Sequence, residues 1–175
     1  MKIKTYSVIF AILLFFTYLG ISSCERDDIC AEGTPTTPLL IIQFFDFETG
    51  LERTTPPELQ ITVDGIEEEF ELGELTDSIS IPLRNSASIT EYNFTINSNT
   101  ENNDEDSDPP NTDKISFQYN TEQEYVSSAC GFKVNYRALT NSPVDGQDDG
   151  LWIRNIELQT EEVIDETTTH VFIFL

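Results

Sequence analysis

Apolar residues recur at every second position through most of this chain, which is the signature of β-strands with one face buried. Leu59, Ile61 and Val63 alternate with Glu58, Gln60 and Thr62, and Asp64-Gly65 then offers a type I′ hairpin turn before Phe70 and Leu72. The same alternation returns in Ile79, Ile81 and Leu83; in Tyr92, Phe94 and Ile96; and in Ile115, Phe117 and Tyr119. A further run, Phe132, Val134, Tyr136 and Ala138, predicts an inward face that Cys130 shares by parity. Leu39 to Ile42, with Phe44 and Phe45, is apolar on both faces and suits a strand covered on both sides. Pro82 cannot donate to a sheet ladder, so its strand belongs at an edge. Leu151 to Leu158 and Val171 to Leu175 complete the set.

Eight or nine short strands, with no helical periodicity after the N-terminal segment, predict an all-β chain: an antiparallel β-sandwich of immunoglobulin-like type. A closed barrel is the rival architecture. Asn97 to Asp113 is polar, includes Asn102-Asn103-Asp104-Glu105-Asp106 and Pro109-Pro110, and reads as a mobile loop without core residues.

The first residues follow another pattern. Lys2 and Lys4 give a positive start, Val8 to Phe16 form an uninterrupted apolar run, and Ile21-Ser22-Ser23-Cys24 closes the segment with small residues before a cysteine. The run is short for a membrane span. Ile21-Ser22-Ser23-Cys24 resembles the lipobox of bacterial lipoproteins, and that resemblance implies a diacylglycerol on the Cys24 thiol and cleavage that makes Cys24 the mature N-terminus. Glu25-Arg26-Asp27-Asp28 is similar to the charged tetrad that follows the lipidated cysteine in surface-exposed lipoproteins of the Bacteroidetes. It implies an outer-membrane, outward-facing location, although Glu25 stands at the usual polar position and Ile29 where another acid is common. The expected organisation is a signal peptide over 1–23, a lipidated tether over 24–37 and a sandwich domain over 38–175. Glu25 to Thr37, fully extended, reaches at most about 45 Å, enough to clear lipid headgroups.

Charge and cysteines narrow the partners. Nine basic residues face 32 acidic ones, for a formal net charge of −23, so nucleic acid is not an expected partner. The membrane, through the anchor, is. With Cys24 committed to lipid, Cys30 and Cys130 remain as one even pair in an oxidising compartment, and a disulfide is the economical reading. It would close a loop of about 100 residues and pin the tether against the domain. The alternative, a reactive or metal-binding thiol pair, lacks Cys-x-x-Cys spacing and a neighbouring histidine.

Candidate chemistry is sparse. His170 is the lone histidine, and no Gly-x-Ser-x-Gly elbow accompanies it, so no catalytic residue is assigned. Asp145-Gly146-Gln147-Asp148-Asp149-Gly150 partly matches a calcium loop, but Ile156 stands at the twelfth position where a bidentate acid belongs, and a turn is the expectation. No metal or cofactor is expected. Nothing singles out a carboxylate pair for glycoside hydrolysis. Asp77-Ser78-Ile79 is similar to the short acceptor used for O-glycosylation of exported Bacteroidetes proteins, which makes Ser78 a candidate modification site. Trp152 offers either a sugar-stacking ring or a core residue, the latter being the commoner use. Asn93-Phe94-Thr95 matches a eukaryotic sequon with no expected user.

Cys30, the run Thr34 to Ile42, Thr76-Asp77-Ser78-Ile79, Tyr125-Val126-Ser127, Ala129-Cys130-Gly131-Phe132, Trp152-Ile153 and His170-Val171 together resemble a family of small uncharacterised flavobacterial lipoproteins. The resemblance implies an envelope β domain and transfers no activity. The expected role is a non-enzymatic binding or accessory module of the cell envelope with a glycan or protein ligand. The alternatives are a structural subunit of an outer-membrane complex and, further off, an unrecognised hydrolase.

Overall fold

A computed structural model describes residues 29–63, 76–99, 108–146 and 150–175. Eight strands are present among them: β1 (Leu40–Phe45), β2 (Gln60–Val63), β3 (Ser78–Ile81), β4 (Ile89–Ile96), β5 (Asn111–Ser127), β6 (Gly131–Asn141), β7 (Asn155–Leu158) and β8 (Val171–Phe174). They form two four-stranded sheets in the orders β3-β1-β8-β7 and β2-β4-β5-β6. The connections β1 to β2, β2 to β3, β3 to β4 and β6 to β7 each change sheet, which is how two layers come to share one core. Among the described residues the protein is therefore all-β and two-layered, with mostly antiparallel neighbours and one parallel pair, β1 with β8.

The alternation in the sequence maps onto this core. Leu40, Ile42 and Phe44 from β1, Ile79 and Ile81 from β3, and Val171 and Ile173 from β8 meet Ile61, Tyr92, Phe94, Ile115 and Phe117 from the other sheet in one buried cluster. Pro82 follows the last residue of β3, and β3 is an edge strand. The doubly apolar β1 lies between β3 and β8, and Phe45 on its other face stacks on Phe174 at 5.6 Å and meets Phe172 edge-on at 4.8 Å.

Three expectations are corrected. Ala138 takes a φ of 52° and is exposed, while Leu139 is fully buried. A residue with positive φ inserts a bulge that shifts the side-chain parity of β6, so Leu139 fills the place expected of Ala138. Phe132 is exposed rather than inward, because the arm that carries it runs past the core. The loop expected over Asn97 to Asp113 ends earlier: β5 begins at Asn111, and Asp113 is completely buried. The Asp64-Gly65 turn with Phe70 and Leu72, the N-terminal segment with Cys24, and residues 147–149 lie outside the described residues.

The outer edge of β6 is closed without a neighbouring strand of its sheet. The N–H of Val134 donates to Thr37 Oγ1 at 2.9 Å, that of Tyr136 to Val163 O at 3.0 Å, and that of Leu139 to Glu161 O at 2.8 Å. The step from 136 to 139 is the Ala138 bulge again. Covering an edge in this way removes a template for unwanted strand addition.

By contact density the chain divides into two units, residues 35–126 with 131–175, which hold both sheets, and residues 1–34 with 127–130. In the described part of the smaller unit, Cys30 and Cys130 form a disulfide across a sequence separation of 100 residues. Ser127 Oγ accepts from the Cys130 N–H at 3.0 Å, and Thr34 Oγ1 donates to Ala31 O at 2.6 Å.

Candidate functional site

Four groups of polar side chains bear on chemistry in the larger unit. The first is His170, which is 1% exposed at the entry to β8. Its Nδ1 accepts from the Ile41 N–H at 2.9 Å while its own backbone N–H donates to Ile41 O at 3.0 Å, so one residue clamps β1 from two directions. An accepting Nδ1 requires the neutral imidazole with its proton on Nε2. Burial pushes its pKa below the usual value, against the pull of a hydrogen bond to the Asp165 backbone and the charges of Asp165 and Glu166. The residue is a structural hydrogen-bond acceptor.

The second group centres on Asp113. Its Oδ2 accepts from the N–H groups of Trp152 at 3.0 Å and Ile153 at 2.7 Å. Trp152 Nε1 donates to Phe94 O at 3.1 Å, and the ring is buried. Trp152 thus joins the segment before β7 to β4 and β5, and its face is not available to a sugar. The polar stretch expected as a loop over Asn97 to Asp113 gave no sign that Asp113 would be drawn inside as part of β5; the geometry of the two amides explains it.

The third group is a row of tyrosine hydroxyls. Tyr92 on β4 donates to Pro82 O, Tyr136 on β6 to Leu83 O at 2.9 Å, and Tyr119 on β5 to Arg84 O at 2.9 Å. Three adjacent strands thereby hold three successive carbonyls as the chain leaves β3. Thr90 Oγ1 lies 2.5 Å from Tyr119 Oη and accepts from the Arg84 N–H at 3.0 Å. Burial raises the pKa of Tyr92 and Tyr119 and pushes Tyr136 up to about 12. These residues were legible as core positions, but their polar ends were not assigned partners by pattern alone.

The fourth feature is an open hollow of about 330 Å³ where the end of β6 faces the start of β7. Asn141, Ser142, Arg154 and Asn155 offer polar groups, and Val144 and Ile156 are among its apolar lining residues. The segment that follows β6 is tied to β5 by paired backbone bonds between Lys114 and Asp145 in both directions, and by Ser116 O accepting from the Ser142 N–H at 2.8 Å. Nearby in sequence, a Cβ at Gly146 would fall 2.8 Å from the Gly150 backbone and from Leu151 Cδ2, a close approach that only glycine allows. The volume is at the small end for a ligand pocket.

Of the other residues singled out by sequence, Ser78 opens edge strand β3, and its Oγ donates to Ile42 O at 3.1 Å across the sheet. Asp77 beside it pairs with Arg53 at 3.5 Å. Asn93 lies on β4 with its amide 3.5 Å from Thr62 Oγ1. Cys24, Asp148 and Asp149 lie outside the described residues. Among the described residues no group of three or more His, Cys, Asp or Glu side chains is gathered around a common point.

Fold and sites define the class as a small two-layer β domain with a disulfide between residues 100 apart in sequence and a half-polar hollow beside β6 and β7. The chain belongs to a family of unknown function, DUF6452, whose model matches residues 60–175, from β2 to the end of β8 and beyond. No curated protein and no solved structure matches it.

Proposed function

We propose that this protein is a lipid-anchored binding module of the bacterial cell envelope, held at the outer membrane by an acylated Cys24 and built on an immunoglobulin-like sandwich. The observation that carries the binding role is the hollow beside β6 and β7. It presents the exposed Arg154 guanidinium, amides of Asn141 and Asn155, and apolar side chains within one concave surface. Such a mixture suits a hydroxyl-rich or anionic ligand such as an envelope glycan. The Cys30–Cys130 disulfide supports export, because bonds of this kind persist in oxidising compartments. Sheet-changing connections support the sandwich type, although here the disulfide reaches the β5–β6 turn instead of bridging the two sheets as in antibody domains. The lipobox-like Ile21-Ser22-Ser23-Cys24 supports the lipoprotein reading.

Two experiments test the proposal. Mass spectrometry of the native protein should find an acylated Cys24, and Cys24→Ser should release the protein from the membrane fraction; an unmodified thiol refutes the anchor. Glycan arrays and envelope pull-downs should return a ligand whose binding is weakened by Arg154→Ala. A ligand indifferent to that substitution, or none at all, refutes the role of the hollow.

A further inference from the structure

Tyr125 to Phe132 is a run of eight residues without a charge, in a chain of which 23% is charged. It spans the end of β5, the turn and the start of β6. Its two large side chains, Tyr125 and Phe132, are 58% and 63% exposed, and they pack edge to face with ring centroids 5.4 Å apart. From Asn120 to Tyr125 every residue of β5 is exposed, so this arm runs past the core that covers its first half. Behind the uncharged end the charges are matched in pairs: Lys133 with Glu124 at 3.2 Å, and Arg137 with both Glu122 and Glu162. The arm therefore has a neutral aromatic end and an ion-paired collar, the distribution found where a protein meets the boundary between water and lipid.

Covalent connectivity says which surface lies within reach. Phe132 is two residues from Cys130, and Cys130 is bonded to Cys30 with their Cα atoms 4.8 Å apart. Six residue steps then separate Cys30 from Cys24, and they span at most about 21 Å when fully extended. We propose that the Tyr125–Phe132 pair docks into the interfacial zone of the same bilayer that holds the acyl anchor on Cys24. The inference rests on the lipoprotein reading given above. The anchor makes the contact intramolecular, so a weak aromatic insertion suffices to populate it. Its effect is to fix orientation. Thr37, just before β1, is bonded to Val134 at the base of the arm, whereas Leu51 follows the opposite end of β1 and is 85% exposed. With the arm down, that opposite end faces away from the lipid. Because the inserting residues are uncharged and the protein is strongly acidic, docking favours zwitterionic over anionic lipid, and on zwitterionic lipid it is insensitive to salt.

The test uses the full-length acylated protein in phosphatidylcholine vesicles whose acyl chains carry bromine as a fluorescence quencher. Wild-type protein supplies the background from Trp152, which is buried. Phe132→Trp should add emission that is shifted to the blue and lost as brominated lipid replaces ordinary lipid. Leu51→Trp should add emission that stays unshifted and unquenched. Circular dichroism and an intact disulfide confirm that each variant is folded. Emission from Trp at 132 that is unshifted, or shifted to the blue without quenching because a protein partner or second copy covers it, overturns the proposal while leaving the anchor in place. A bare Cys24 by mass spectrometry instead removes the reading on which the proposal rests, and the two failures are thereby told apart.

Discussion

Replacing His170 by leucine separates its two roles, hydrogen-bond acceptor and titrating group. The substitution keeps an apolar volume at the entry to β8 but leaves the Ile41 N–H without the Nδ1 that accepts it at 2.9 Å. Leaving a buried donor unsatisfied costs about 1–3 kcal/mol, and this one is partly buried. Above the ordinary histidine pKa the variant should therefore be less stable than wild type by about 2 kcal/mol. The pH dependence has a definite sign. Burial lowers the folded-state pKa of His170 below its ordinary value of 6.5. The unfolded chain then takes up a proton first as pH falls, so stability present above pH 6.5 is lost below it, by up to about 1.4 kcal/mol per pH unit. The leucine variant lacks this loss. Urea denaturation of both proteins at about pH 8 and about pH 5.5, with the disulfide intact, should show the stability gap shrinking by about 1 kcal/mol at the lower pH. A gap that widens on acidification would mean that Asp165 and Glu166 hold an imidazolium in the folded protein, and the neutral acceptor assignment would be wrong.

The remaining expectations concern other buried contacts. The raised pKa values of Tyr92, Tyr119 and Tyr136 give stability that is complete below the ordinary tyrosine value of 10.0 and declines as pH rises above it. In a variant whose other tyrosines, Tyr6, Tyr18 and Tyr125, are replaced by phenylalanine, tyrosinate absorbance should thus appear together with loss of β-sheet circular dichroism, and its appearance in a fully folded protein would contradict the burial argument. Tyr136→Phe should cost about 1 kcal/mol in chemical denaturation, because Leu83 O loses its donor. Asp113→Ala should cost about 3 kcal/mol or more, since the amides of Trp152 and Ile153 lose one shared acceptor, and a near-neutral result would show that the segment before β7 is held by other means. Cys130→Ser opens a loop of 100 residues and should destabilise by up to about 4.7 kcal/mol in the chain-entropy limit, measured against the oxidised wild type.

Much of the fold could be read from the alternation of side chains. Leu59, Ile61 and Val63, or Ile115, Phe117 and Tyr119, have one buried face because a strand has a period of two, and no tertiary knowledge is needed to see it. Pro82 placed its strand at an edge through the missing N–H alone. What the pattern could not convey depended on partners distant in sequence. Ala138 looks like any other inward residue until its positive φ hands the core position to Leu139. Asp113 looks like loop, because nothing local announces that the amides at 152 and 153 will need an acceptor. The disulfide followed from counting cysteines, whereas the hollow beside β7 is a product of loops meeting, and composition has no signal for that.

The parallel pairing of β1 with β8 has a consequence for the timing of folding. In register, Ile42 lies beside Val171 and Phe45 beside Phe174, so a strand near residue 40 obtains one of its two neighbours only when residues beyond 170 arrive. Until then β1 has β3 on one side and a bare backbone on the other. A chain elongating from its N-terminus must keep this largely apolar strand half-covered until about 130 further residues have been added, and the sheet closes only after that delay. Deleting Val171 to Phe174 should leave a molecule that cannot complete its hydrogen-bond ladder, however intact its other sheet.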